Sequence, residues 1–329
     1  MTLNKIARQL LIEPKGILAA DESTPNMNKR LAKVGVEGTT ETRRKFREVL
    51  ITTQGVEQFL SGIILFDETI RQTDFNGKKF TNILKEKGIA IGIKVDEGTV
   101  SMPDSPEEVM TKGLDGLADR LAEYKQMGAV FTKWRSVIRI GQNMPSKACL
   151  EANADGLAQY ASIVQKAGLV PILEPEVLLD GDHSLEQAKK VTTETLKTVF
   201  SACKKRKVNL TGLLLKSSMV LPGSESVQKA APEEVAAATI SCLKQSVPKT
   251  VPGIVFLSGG QSPEEASENL FEICKLAKQP WQLTFSFSRA LEEPVLEAWQ
   301  GSDDNIELAQ AIFYNVCKRN SKARMGIWT

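Results

Sequence analysis

Eight short runs of apolar and β-branched residues recur along the chain: Gly16–Ser23, Gly62–Phe66, Ala90–Asp96, Ala129–Val137, Leu169–Val177, Leu210–Met219, Gly253–Gly259 and Leu283–Arg289. Segments with a 3.6-residue apolar period separate them, among them Leu114 to Met127, Ala154 to Ala167, Leu185 to Lys204 and Pro232 to Gln245. Strand–helix alternation carried this far predicts parallel βαβ units. Eight such units close into a (β/α)8 TIM barrel, an α/β fold. No Gly- or Pro-rich stretch divides the 329 residues. One barrel domain is therefore expected over 1–329, with a short N-terminal helix and a C-terminal helical segment. A doubly wound open sheet is the alternative, but no GxGxxG follows the first run.

Composition excludes several functions. The net charge of +2 gives no reason to expect a nucleic-acid or membrane partner. The stretch Met1 to Pro14, with Lys5, Arg8 and Glu13 around a short apolar run, reads as a surface helix, not a signal peptide or membrane span. Five scattered cysteines (Cys149, Cys203, Cys242, Cys274, Cys317) form no CxxC pair, which fits a reducing, cytoplasmic location. The single histidine, His183, lies in Asp180-Gly181-Asp182-His183 and reads as a loop residue. With one histidine and no cysteine cluster, neither a His-based zinc site nor another metal site is expected.

The chemistry begins at Lys216, at the end of Leu213-Leu214-Leu215. An ammonium at the end of an apolar strand is costly unless it is paired or loses its proton. A lysine so placed is a candidate amine nucleophile that forms a Schiff base with a carbonyl. A snorkelling or salt-bridged lysine is the plainer alternative. What surrounds it favours the nucleophile. Residues i and i+2 of a strand share a face. Six runs end in polar residues at that spacing: Asp21/Ser23, Lys94/Asp96, Lys133/Arg135, Glu174/Glu176, Lys216/Ser218 and Ser286/Ser288. In register they would form the polar rim of a barrel's C-terminal face, where barrel active sites lie. Cations gathered there would favour a neutral amine at Lys216. Glu174 and Glu176 would serve as proton shuttles, their mutual repulsion leaving one of them an acid near neutral pH.

A phosphate site is the third element. Ser258-Gly259-Gly260-Gln261-Ser262 follows the seventh run and precedes a helix near Pro263, an arrangement whose exposed N–H groups hold anions. The eighth run adds Ser286, Ser288 and Arg289. Six cations (Arg30, Lys94, Lys133, Arg135, Lys216, Arg289) against three carboxylates (Asp21, Glu174, Glu176) predict a positive mouth suited to a substrate with two phosphates.

The segments Gly16-Ile17-Leu18-Ala19-Ala20-Asp21-Glu22-Ser23-Thr24, Gly92-Ile93-Lys94-Val95-Asp96, Lys133-Trp134-Arg135, Glu174-Pro175-Glu176 and Phe256-Leu257-Ser258-Gly259-Gly260-Gln261-Ser262 resemble those of class I, Schiff-base fructose-bisphosphate aldolases, and the likeness runs from Ile6 to Gly326. The resemblance implies reversible cleavage of fructose 1,6-bisphosphate to dihydroxyacetone phosphate and glyceraldehyde 3-phosphate, in glycolysis and gluconeogenesis. It implies no metal or organic cofactor, a small phosphorylated sugar as partner, and a homotetramer. Carried over by position, Lys216 is the imine lysine and Glu174 the main acid/base, with Glu176 and Lys133 assisting. Asp21 handles the C4 hydroxyl proton. Ser258, Gly259 and Arg289 hold the C1 phosphate, with Gly260, Ser286 and Ser288 beside them. Ser23, Arg30 and Lys94 stand at the other phosphate end, with Arg135 nearby.

The chain departs from the family pattern in several places. Ser286-Phe287-Ser288-Arg289 stands where Ser-Tyr-Gly-Arg is common, Asn26 where a serine is common, and Ser217-Ser218 where Pro-Asn is common. Familiar members continue into a tail ending in tyrosine, implicated in proton exchange, whereas this sequence ends Gly326-Ile327-Trp328-Thr329. Another Schiff-base barrel lyase or transaldolase, and a barrel scaffold without turnover, are the rival readings.

Overall fold

The computed structural model describes residues 2–328. It opens with α1 (Leu3–Leu10), β1 (Gly16–Ala20), α2 (Thr24–Lys33), α3 (Thr40–Thr52), β2 (Leu60–Leu65), α4 (Asp67–Ile70), α5 (Phe80–Glu86) and β3 (Ala90–Lys94). Strands β4 (Thr99–Met102) and β5 (Ser105–Thr111) come next, then α6 (Leu117–Gln126), β6 (Ala129–Ile138), α7 (Lys147–Lys166), β7 (Val170–Val177) and α8 (Leu185–Lys205). The order ends with β8 (Leu214–Ser217), α9 (Pro232–Ser246), β9 (Gly253–Phe256), α10 (Pro263–Lys275), β10 (Gln282–Phe287), α11 (Arg289–Trp299) and α12 (Ile306–Arg324). Eight strands close a parallel barrel in the order β1-β10-β9-β8-β7-β6-β3-β2. This is the expected TIM barrel.

Strand alternation sorts the residues into two cores. Ile17, Ala19, Ile64, Phe131, Val170, Ile172, Leu214 and Val255 form one buried cluster on the inward face. Phe131 fills the centre because the neighbouring strand offers no side chain there: a Cβ on Gly92 would lie 2.3 Å from its ring. The alternate residues face the helices. Trp134 stacks on Tyr160 of α7 at 5.3 Å, and the Tyr160 hydroxyl meets Thr132 Oγ1 at 2.5 Å. Caps set the helix starts. Ser184 accepts from Gln187 N while the Gln187 side chain accepts from Ser184 N, and Ser262 and Glu265 repeat the arrangement on α10.

Four expectations need correction. The N-terminal helix is not a free surface helix: Ile6, Ala7 and Leu10 are buried in the inward cluster, so α1 closes the N-terminal end of the barrel. The Leu210–Met219 run is a strand only over Leu214–Ser217; a 3-10 turn takes Leu210–Gly212 because the Asn209 side chain accepts from Thr211 N at 3.1 Å. Helix α6 starts at Leu117, not Leu114, behind a left-handed Gly116. The antiparallel hairpin β4–β5 was not expected. Its signal was there in Val100 and Met102 alternating up to the turn at Pro103-Asp104.

One long-range latch ties the chain's last helix to the segment between α1 and β1 and to β10. Arg324 is buried and donates to the carbonyls of Leu11, Ile12, Lys15 and Leu283. Burial pulls its pKa down to about 10. Ile12 O and Lys15 O keep the Lys15 N–H and the Thr284 hydroxyl as donors, so Arg324→Met mainly deprives Leu11 O of its donor and is expected to cost about 1–3 kcal/mol, read as a lower urea midpoint with an unchanged m-value.

Candidate active site

The same strand faces that fill the barrel run on into its mouth. Ala19 is followed by Asp21, Phe131 by Lys133 and Arg135, Ile172 by Glu174 and Glu176, and Leu214 by Lys216. All of these polar residues line one cleft of about 1540 Å³ at the C-terminal ends of the strands. Register holds the neighbours together, pairing Lys94 with Lys133 and Arg135 with Glu174.

Glu174 is the hub. One carboxylate oxygen lies 3.0 Å from Lys216 Nζ and the other 3.1 Å from Lys133 Nζ. Lys133 Nζ also sits 2.5 Å from Asp21 Oδ2. All four side chains are buried, so these contacts act with little solvent screening. Burial opposes the charged form of Lys133, but Asp21 and Glu174 outweigh it and hold its pKa above the ordinary lysine value. Burial likewise opposes the Glu174 carboxylate, but Lys133, Lys216 and Arg135 outweigh it and pull its pKa down to about 2. Glu174 is therefore not the carboxyl left as an acid near neutral pH. Glu176 is engaged by Arg135, and two lysines hold Glu174 as an anion with one of them on each oxygen.

The segment 258–262 forms a tight turn. Gly259 and Gly260 take φ of 56° and 93°, which glycine alone adopts without strain. Gln261 closes the turn by donating its N–H and side-chain amide to Ser258 O at 3.0 and 2.8 Å. Ser258, Gly259, Ser286, Ser288 and Arg289 line the cleft, and Ser286 Oγ is buried without a protein partner. Gly260 is not part of the lining, but a Cβ there would lie 3.8 Å from an Arg289 guanidinium nitrogen, so the turn and the arginine are neighbours. At the other end Lys94 pairs with Asp96 at 2.6 Å, and Ser23 occupies the N-cap position of α2 without a side-chain capping bond.

Three rim assignments change. Arg30 does not line the cleft; its guanidinium is engaged by Glu22, by Glu292 at 2.7 Å and by Ser288 Oγ at 3.2 Å. It stands beside Ser288, not beside Lys94. Ser218 turns away and donates to Val177 O at 3.0 Å. The mouth has no positive excess, because its lining holds nine cations and nine carboxylates. Loops and helices remote in sequence supply the extra acids, among them Glu22, Asp67, Glu123 and Asp180. Within this balance Lys29, Arg139 and Arg289 have no ion-pair partner among the described residues. Lys29 and Arg139 were missed from the sequence; the i, i+3 spacing of Ser23, Asn26 and Lys29 on one helix face was the available signal for the first.

His183 lies in a loop, as expected, but buried. All five cysteines are free. Among the described residues no group of three or more His, Cys, Asp or Glu is arranged to hold a metal ion. None of the described helices is long and apolar enough to cross a membrane.

A barrel whose mouth joins a buried amine, a bridging carboxylate and a glycine turn beside an arginine suits aldol chemistry on a phosphorylated carbonyl compound. A family model described as fructose-bisphosphate aldolase class-I matches residues 2–329. The chain belongs to that family. Among class I aldolases, fructose-bisphosphate aldolase 4, cytosolic, of Arabidopsis thaliana is 49% identical over 313 residues, 95% of this chain and 80% of its own length. Fructose-bisphosphate aldolase B of Homo sapiens is 47% identical over 327 residues, 98% of this chain and 90% of its own. A fructose-bisphosphate aldolase of Plasmodium falciparum, solved with TRAP and a small-molecule inhibitor, superposes with a TM-score of 0.98 at 45% identity, covering 99% of this chain and 95% of its own. The function is that of class I fructose-bisphosphate aldolases, carbon–carbon lyases of glycolysis acting on a phosphorylated sugar.

Proposed function

We propose that Lys216 is the Schiff-base nucleophile and that Glu174, Lys133 and Asp21 move the protons of fructose 1,6-bisphosphate cleavage. The observation that carries this reading is the shared Glu174 carboxylate, one oxygen on Lys216 and the other on Lys133. A proton passing from Lys216 to Glu174 leaves a neutral amine, which attacks C2 of the open-chain ketose. Glu174 then returns the proton to the carbinolamine hydroxyl, which departs as water and leaves an iminium. The iminium accepts the C3–C4 bonding pair, becoming an enamine. Asp21 takes the C4 hydroxyl proton as glyceraldehyde 3-phosphate forms and leaves. Protonation of the enamine at C3 and hydrolysis of the imine release dihydroxyacetone phosphate and regenerate the amine. Glu176, held by Arg135, assists these transfers from the rim. Borohydride reduction in the presence of dihydroxyacetone phosphate, followed by peptide mapping, tests the reading; label on any lysine other than Lys216 refutes it.

In this reading Ser258, Gly259, Ser286, Ser288 and Arg289 hold the phosphate next to C1, with Gly260 shaping the turn behind them. Ser23, Lys94 and Arg135 hold the far one. Arg289→Ala removes a charge-assisted hydrogen bond and is expected to weaken dihydroxyacetone phosphate binding by about 1.5–3 kcal/mol, measured by isothermal titration.

We also propose a single domain over 1–329, a homotetramer and a cytoplasmic location. The tetramer rests on the family resemblance, and the location on the word cytosolic in the Arabidopsis relative's name. Light scattering over a dilution series tests the tetramer.

A further inference from the structure

A buried ionic quartet lies beside the phosphate turn. Glu292 in the first turn of α11 is fully buried and meets Arg30 at 2.7 Å and Arg47 at 2.9 Å, one oxygen to each. Both guanidiniums also grip Glu22, at the end of β1. Glu22 and Arg30 in turn hold the Ser288 hydroxyl. Four elements, β1, α2, α3 and α11, thus converge on two carboxylates and two guanidiniums.

The placement matters because of what α11 carries. Ser288 precedes the helix, and its carbonyl accepts from Leu291 N and Glu292 N at 2.9 and 3.0 Å. Arg289 is the helix's first residue, three before Glu292 and so on the neighbouring turn of one face. The anchors on Glu292 fix how far that first turn is rotated, and with it where Ser288 and Arg289 point. Burial and the Glu22 carboxylate push the Glu292 pKa well above the ordinary carboxylate range, and a buried cluster of this kind contributes little net stability, since apolar side chains of similar volume fill such a space as well. Its geometric constraint is what apolar packing does not reproduce.

We propose that Glu292 and Arg47 are positioning residues for the phosphate subsite, acting through Ser288 and Arg289 without touching substrate. This rests on the reading of Ser288 and Arg289 as phosphate ligands. The reaction chemistry at Lys216 lies outside the quartet, so the quartet sets affinity for a phosphate and leaves imine formation alone.

Two variants test it: Glu292→Gln, and the double variant Arg47→Met/Glu292→Met, which removes one charge of each sign and so avoids an uncompensated buried ion. Each is titrated with dihydroxyacetone phosphate and with dihydroxyacetone, reading borohydride-trapped imine. In both variants the concentration of dihydroxyacetone phosphate for half-maximal trapping should rise about tenfold, with the dihydroxyacetone titration unchanged. KM for fructose 1,6-bisphosphate should rise while kcat holds. The double variant should melt near the wild-type temperature. A folded double variant with wild-type affinity for dihydroxyacetone phosphate overturns the proposal. So does equal weakening of both ligands, which marks general loosening. Failure of the parent reading shows elsewhere: in wild-type protein without label on Lys216, or in Arg289→Ala with undiminished phosphate binding.

Discussion

Lys216→Ala should abolish borohydride trapping and lower fructose 1,6-bisphosphate cleavage by several orders of magnitude. In the proposed reaction no other group makes the electron sink that accepts the C3–C4 pair. Lys216→Arg should be equally inactive, because a guanidinium stays protonated and does not attack a carbonyl. The arginine variant separates nucleophilicity from charge: it keeps the cation that faces Glu174 and loses only the amine. Both variants should fold, since Lys216 shares its carboxylate with Lys133, which remains paired with Asp21 and Glu174 in either protein. Near-normal turnover in either variant, or label moved to Lys133 or Lys94, would falsify the assignment of the nucleophile.

Glu174→Gln is expected to have the second largest effect. It removes the carboxylate that both accepts the Lys216 proton and returns it, and positioned acid–base groups contribute about 10²–10⁴-fold. The loss should fall on kcat, with imine trapping slowed but not abolished. The variant also changes acid stability. Neighbouring cations hold the folded-state Glu174 pKa at about 2, below its unfolded value. Its contribution to stability is therefore complete above the ordinary carboxylate range near about 4.3 and fades as pH falls toward 2. In Glu174→Gln this part of the acid-unfolding profile should vanish. Wild-type kcat in the glutamine variant would remove Glu174 from the proton path.

The barrel was readable because period and length agree along the whole chain: strand-length apolar runs, helix-length periodic segments and no long linker between them. The cluster of charged side chains at the mouth was readable for the same reason. Lys133, Glu174 and Lys216 each sit two residues beyond an inward-facing apolar residue, so their meeting follows from strand alternation. What was not readable depends on contacts between distant segments. Arg30 looked like a free rim cation because its partners Glu22 and Glu292 are 8 and 262 residues away. Arg47 and Glu292 gave no signal, since each sits in an ordinary amphipathic helix and only packing joins them. The positive mouth was wrongly expected because Asp67, Glu123 and Asp180 belong to loops and helices, whose approach to the cleft no strand pattern encodes. Helix α1 was read from its charges, while its opposite apolar face closes the barrel.

The evenly matched lining of the mouth has a kinetic meaning. Nine positive and nine negative groups cancel at a distance, so a highly anionic sugar diffusing toward the protein meets almost no pull until it is a few ångströms away. Attraction begins only where Lys29, Arg139 and Arg289 stand unneutralised. An entrance built this way does not sweep in anions from the surrounding medium. For an enzyme working among abundant phosphorylated metabolites, that reticence keeps the doorway clear.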